Sequence, residues 1–190
     1  VSDAPQVVLL PKAWDHASLF ELLGAERTQR LGALMLARAT AWAMAAFGDR
    51  AVSVITGPPL PSGQLIAGAV ARAQPGQTLI IVVPELAGWR DDLATALLDD
   101  LSAGCPISVA PVFDGGFYLV ALAGADPALT ALPAEAWSGR TALNTLFAAI
   151  GDGGQEVGML QTERALRHRE DVRSALADPL TDEELRTLLG

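Results

Sequence analysis

Sulfur and imidazole are scarce in this 190-residue chain, which holds one cysteine, Cys105, and two histidines. A lone cysteine excludes an internal disulfide framework and fits a reducing, cytoplasmic compartment. With so few nitrogen and sulfur donors, no zinc-ligand spacing occurs. Carboxylates are the plentiful metal ligands, so a hard cation such as Mg2+ is the one to consider. Positive charge is also short: 13 Lys and Arg stand against 22 Asp and Glu, for a formal net charge of −9. Nucleic acid and anionic membrane surfaces are therefore poor partners, since both are bound through Lys and Arg. A local pocket can still be positive on an acidic protein, which leaves phosphorylated substrates open. No apolar run is long enough to span a membrane. The opening residues Val1-Ser2-Asp3-Ala4-Pro5 carry no basic n-region, so a signal peptide is not expected. No Walker A loop, no G-x-G-x-x-G after a strand and no G-x-S-x-G occurs, which removes three common catalytic or phosphate-binding devices.

What the chain has is apolar material, 51% hydrophobic against 18% charged residues. That balance argues for a packed core and one domain over residues 1–190. Short buried-strand runs alternate with helix-favouring stretches. Gln6 to Pro11 reads as a first strand, and Lys12 to Gly24 as a polar-aromatic connection. Ala25 to Phe47 reads as a long helix, ended by Gly48-Asp49. Ala51 to Thr56 is a second strand, stopped by Gly57-Pro58-Pro59. Ser62 is placed to cap a helix from Gly63 to about Ala73. Thr78 to Val83 is the clearest buried strand, followed by a helix from Asp91 to Leu101 and a strand from Ile107 to Phe113. Phe117 to Leu122 is another continuous apolar strand. Beyond it come a short helix over Asp126 to Leu132, a loop at Trp137 to Arg140, and a helix from Thr141 to Ile150. A flexible turn follows at Gly151 to Gly154, then a short strand from Glu156 to Leu160. Two terminal helices, Arg169 to Ala177 and Asp182 to Leu189, complete the chain, with Thr181 and Glu184 placed as a capping box for the last. This alternation predicts an α/β fold with a mostly parallel sheet between helices, a three-layer α/β/α sandwich. The two strands flanking Asp114 must be antiparallel, because no crossover fits between them, so the sheet is mixed.

Asp114-Gly115-Gly116 is the stretch with the most chemical promise. A carboxylate beside two glycines, at the end of a buried strand, lets backbone and charge approach a ligand together. The plain alternative is an ordinary Asp-Gly-Gly hairpin turn. Arg164, Arg167, His168 and Arg169 form a basic patch suited to a phosphate or carboxylate, or else one neutralised locally by Glu163, Glu170 and Asp171. Asp15, His16 and Ser18 cluster in sequence but read as a solvated loop. Asp91 and Asp92 suit a helix N-terminus, and Asp99 and Asp100 read as solvated. Trp14, Trp89 and Trp137 lie in connections, where they either line a pocket or cap the core.

The run Asp114 to Leu122 closely resembles a family motif, Asp-Gly-Gly followed by an aromatic-rich strand ending Leu-Val-Gly-Leu. The family is the glycosyltransferase-like group of small bacterial proteins related to phospholactate guanylyltransferase, with a GT-A, nucleotide-diphospho-sugar transferase fold. Pro84-Glu85-Leu86 after its strand resembles the family's Pro-Asp-Leu, Trp137-Ser138 its Trp-Ser-Thr, and Glu170-Asp171 the end of its late Asp-Val-Asp-Thr-Pro-Glu-Asp segment. The resemblance covers nearly the whole chain. It implies a nucleotide or sugar-nucleotide site with Lys12, Asp114, Gly115, Gly116, Trp137 and Arg167 as candidates, and Asp114 as a weak metal ligand for Mg2+ or Mn2+. The departures fall together. Lys12 survives from the family's Lys-Thr-Arg-Leu loop, but Ala17-Ser18-Leu19-Phe20 replaces its middle. Ile81 to Val83 carry no metal-binding Asp, and Ala165-Leu166-Arg167 stand where Asp-Val-Asp is expected.

Transfer from a nucleotide donor needs its developing diphosphate charge neutralised, and one carboxylate holds a hard cation weakly. The expectation is therefore a degenerate GT-A domain that binds or scaffolds. The alternative is an active glycosyl- or nucleotidyltransferase in which Arg167 replaces the cation's charge. A third reading is a likeness of fold alone, with an unrelated ligand in the same cleft. A homo-oligomer through an apolar face of the long helix is also open, although such a face more often belongs to the core.

Overall fold

The computed structural model describes residues 4–11, 17–55, 60–151 and 155–190. The expectations for Lys12, for Trp14, Asp15 and His16, and for the Asp152-Gly153-Gly154 turn fall outside them.

The core is a six-stranded sheet of β1 (Gln6–Leu9), β2 (Val52–Val54), β3 (Leu79–Val82), β4 (Ile107–Pro111), β5 (Phe117–Leu122) and β6 (Val157–Met159). Its order is β2-β1-β3-β5-β4-β6. β1 pairs in parallel with β2 and β3, and β4 with β6, while β5 runs antiparallel to both β3 and β4. The sheet is thus mixed and mostly parallel, with the reversal at the Asp114 turn. All residues of β3, β4 and β5 are buried, which explains why these strands read as continuous apolar runs without alternation.

The helices are α1 (Ala17–Leu23), α2 (Ala25–Phe47), α3 (Ser62–Val70), α4 (Asp92–Ser102), α5 (Pro127–Thr130), α6 (Ala142–Gly151), α7 (Arg169–Ala177) and α8 (Glu183–Leu189). On one sheet face, Val8, Ile81 and Val120 pack with Ile66 of α3, Leu129 of α5 and Leu146 of α6. On the other, Val7, Ile80 and Leu119 pack with Trp42 of α2 and Leu97 of α4. Burying a side chain such as Leu97 contributes roughly 1.5–3 kcal/mol. A satellite cluster joins Leu19 of α1, Leu31 and Met35 of α2, Val172 of α7 and Leu185 of α8. The buried residues of α2 recur at helical spacing, from Thr28 through Leu31, Met35 and Ala39 to Trp42 and Ala43. That stripe faces the core. Among the described residues no helix is long and apolar enough to cross a membrane.

Several local expectations are corrected. Part of the Lys12 to Gly24 connection is helical, because Leu19, Leu22 and Leu23 share a face that packs into the satellite cluster. Pro61 rather than Ser62 holds the N-cap position of α3. The N-cap of α8 is Asp182, whose carboxylate accepts from the Leu185 backbone N–H at 3.0 Å, so Thr181 and Glu184 form no capping box there. Asp100 is not simply solvated: its Oδ2 accepts from the Ser108 hydroxyl at 2.6 Å.

Candidate functional site

Strand direction decides what can meet. The C-terminal ends of β3, β4 and β6 and the start of antiparallel β5 lie along one edge of the sheet. Glu85 follows β3, Asp114 joins β4 to β5, and the chain after β6 leads to Arg167. That last segment is stitched across the edge. Glu163 N–H donates to Pro111 O at 3.1 Å, Phe113 N–H to Glu163 O at 3.2 Å, and Leu166 N–H to Glu85 O at 2.8 Å. It delivers Arg167 between two carboxylates whose partners are 82 and 53 residues away in sequence.

The guanidinium is shared. Arg167 Nε donates to Glu85 Oε2 at 2.8 Å, and its Nη2 reaches the same oxygen. Arg167 Nη1 donates to Asp114 Oδ1 at 3.0 Å and to the Gly115 carbonyl at 3.1 Å. His168 Nε2 lies 3.5 Å from Asp114 Oδ2. Behind them, Asp171 accepts from the backbone N–H groups of Arg167 and His168 at 3.1 and 2.8 Å, and pairs with Arg164 at 3.1 Å. The basic patch is therefore divided: Asp171 takes Arg164 and the backbone turn, while Arg167 turns inward.

Burial sets the electrostatics. The Glu85 side chain is 1% exposed and that of Arg167 16%. Burial pushes the Glu85 carboxyl up to about 7; Arg167 pulls against that rise and Asp114 adds to it. Burial also works against the Arg167 charge, but Glu85 and Asp114 outweigh it and hold the guanidinium above its ordinary value. Arg167 thus stays charged, and at Glu85 burial and the guanidinium pull the carboxyl in opposite directions.

The glycine turn beside this cluster is conformationally specific. Gly115 has φ +100° and Gly116 φ +85°, both in the region where a Cβ is strained. A Cβ on Gly115 would also lie 2.5 Å from the Gly139 carbonyl carbon and 2.6 Å from the Arg140 nitrogen. The turn and the Gly139-Arg140 backbone are pressed together, and a cleft of about 510 Å3 opens along them, lined by Phe113, Gly115, Gly116, Arg140 and Thr162 among others. Phe113 is 69% exposed, with the Arg164 guanidinium 5.6 Å from its ring centroid. Arg140 makes no hydrogen bond or ion pair among the described residues.

The sequence candidates separate clearly. Asp114, Gly115 and Arg167 meet within hydrogen-bonding distance, and Gly116 lines the adjoining cleft. Trp137 belongs to the core: it is fully buried between α3 and α6, and its backbone carbonyl rather than its ring approaches Gly116. It supports the glycine turn from behind instead of walling a pocket. Trp89 packs tilted against Trp42 and edge-to-face with Tyr118, with centroids 4.8 and 6.0 Å away, and so caps the core. Glu85 is the residue that sequence reasoning passed over as a participant. Its signal was a single acid inside the apolar run Val82-Val83-Pro84-Glu85-Leu86-Ala87.

Among the described residues, the donor set does not fit the Mg2+ or Mn2+ that the sequence resemblance implied. Among the described residues no three Asp, Glu, His or Cys side chains converge as a cation site. The two nearest carboxylates already share Arg167.

Comparison with known proteins bears on the fold. No protein-family model and no curated protein matches the chain. Among solved structures it is similar to a candidate nucleotide-diphospho-sugar transferase from Desulfovibrio desulfuricans G20. The TM-score is 0.60 at 13% identity, over 97% of this chain and 93% of that one. The fold is that of the nucleotide-diphospho-sugar transferases. At this identity the likeness concerns the fold alone.

Proposed function

We propose that this nucleotide-diphospho-sugar-transferase-fold protein is a divergent, glycosyltransferase-like domain that binds or scaffolds without transferring. The supporting observation is Arg167 held between Glu85 and Asp114, where the resemblance expects acidic metal ligands. A guanidinium in that place supplies one fixed positive charge and consumes the carboxylates a divalent ion would use. The ligand class we assign to the cleft is a nucleotide or sugar nucleotide. The compartment we assign is a bacterial cytoplasm, in keeping with the free, buried thiol of Cys105.

One observation favours a second reading, an active transferase that works without metal. The cleft beside Asp114 has room for a small ligand and presents Arg140 without a protein partner among the described residues. In that reading Arg167 and Arg140 together neutralise the leaving group.

Thermal shift against a panel of nucleotides and sugar nucleotides, each with and without Mg2+ or Mn2+, separates the readings. The binding-domain reading expects no metal-dependent rise in melting temperature. A metal-dependent rise that disappears in Asp114→Ala overturns it, and product formation from any donor favours the transferase.

A further inference from the structure

Arg167 is held unequally by its two carboxylates. Glu85 is almost wholly buried, takes two guanidinium nitrogens on one oxygen, and has its own carbonyl tied to Leu166 N–H. Asp114 takes a single contact from Nη1, its side chain is 36% exposed, and it lies between Phe113 and Gly115, which both line the cleft. The Glu85 half anchors the guanidinium. Releasing the Asp114 half needs only a rotation of one side chain and leaves the contacts of the glycine turn with Gly139 and Arg140 in place.

A destination for the displaced carboxylate is already in place, since Asp114 Oδ2 lies 3.5 Å from His168 Nε2. Resting on the reading of Arg167 as the resident cation, we infer that Asp114 is an intramolecular stand-in occupying a gated anion site. Its external ligand is the phosphoryl or pyrophosphoryl group of a small molecule in the adjoining cleft. When that group arrives, it takes Arg167 Nη1 while Asp114 turns to His168.

The chemistry favours a phosphoryl group over a carboxylate. Asp114 brings one negative charge and one oxygen to Arg167. A phosphate dianion or a pyrophosphate brings more charge and several acceptor oxygens to a fork that remains two-thirds oriented by Glu85 and Gly115. Arg140 and the Thr162 hydroxyl, neither of which has a hydrogen-bond partner among the described residues, line the same cleft and can meet the remaining oxygens. The exposed Phe113 ring flanks them with a flat apolar face for the rest of the molecule. In this chain of net charge −9, such a pocket is the local exception that a phosphorylated ligand requires.

Calorimetric titration of the full chain with pyrophosphate, inorganic phosphate and acetate, without metal and at fixed ionic strength, tests the exchange. Asp114→Asn keeps the side-chain shape and removes the competing charge. It is expected to bind pyrophosphate roughly tenfold or more tightly than the unaltered chain, with a smaller gain for phosphate and none for acetate. Adding Glu85→Gln with Arg167→Met, which removes both halves of the buried pair together, is expected to abolish that gain. If this variant does not fold, the Arg167 Nε–Hε resonance of Asp114→Asn serves instead, and it is expected to move as pyrophosphate is added. The inference is overturned if Asp114→Asn binds pyrophosphate no tighter, if the gain survives loss of Arg167, if acetate gains equally, or if that resonance stays fixed. A Mn2+-dependent stabilisation of the unaltered chain would instead overturn the parent reading, so the two failures are told apart.

Discussion

Gly115 and Gly116 share positive φ values but differ in the space around them, and that difference makes a prediction. At Gly115 a Cβ meets backbone at 2.5 and 2.6 Å, whereas at Gly116 the nearest atom is 3.6 Å away. Gly116→Ala should therefore cost only the backbone strain, about 1–3 kcal/mol. Gly115→Ala should cost clearly more, because the turn must also part from Gly139 and Arg140. Urea unfolding of both variants checks the order; equal losses would mean that this packing contributes nothing. The role of these glycines at a turn was legible in sequence, since Asp-Gly-Gly between two apolar strands allows few other geometries. The role of Glu85 was not. A buried acid announces itself only as an oddity in an apolar run, and nothing local says that its partner lies 82 residues on.

Helix α3 places two glycines under opposite constraints. Gly63 sits where α3 approaches the Ala134–Trp137 turn, and a Cβ there would lie 2.3 Å from the Ala134 carbonyl oxygen. Gly68 is exposed in the last turn of the same helix with nothing within 4 Å. Gly68→Ala is expected to stabilise by about 0.5–1 kcal/mol through the unfolded chain and helix propensity. Gly63→Ala is expected to destabilise by forcing the helix off the turn, so the melting temperatures should move in opposite directions. Elements with strong patterns were readable in advance: α2, α7 and β5 occupy the stretches their periodicity or apolar continuity indicates. Helix α1 was missed because only seven residues carry its pattern, beside a polar and aromatic stretch that reads as loop. Its helical form answers to the satellite cluster it covers, which is a tertiary cause.

Two carboxylates give the whole molecule opposed pH dependences. Glu85 has its folded pKa raised from 4.5 to about 7, chiefly by burial. Its contribution is fully present below its unfolded value and is lost as pH rises through about 7. Asp182 has its folded pKa lowered from 3.8 to about 2, first by the hydrogen bond from Arg38 that fastens α8 to α2. Its contribution is present above its unfolded value and is lost as pH falls through about 2. Melting temperature followed against pH should show Glu85→Gln flattening the decline between about pH 5 and about pH 8, and Asp182→Asn flattening only the acid limb. A Glu85→Gln curve parallel to the unaltered one would show that burial does not hold that proton. The acid-limb effect is the smaller, because Asp182 is half exposed and screened by water.

The layered α/β architecture, the order of its elements apart from α1 and the reversal at Asp114 follow from the sequence alone. Buried strands, amphipathic helices and glycine turns are all encoded by neighbours within a few residues. The tertiary structure decided the site. Antiparallel β5, inserted between β3 and β4, brings the ends of β3, β4 and β6 to one edge of the sheet. Only there do Glu85, Asp114 and Arg167 become neighbours, and only burial there turns three ordinary charges into one anchored guanidinium with an exchangeable partner. Charge pairing across such separations leaves no periodicity in the chain, because it depends on where strands lie in the sheet and not on their order along the sequence.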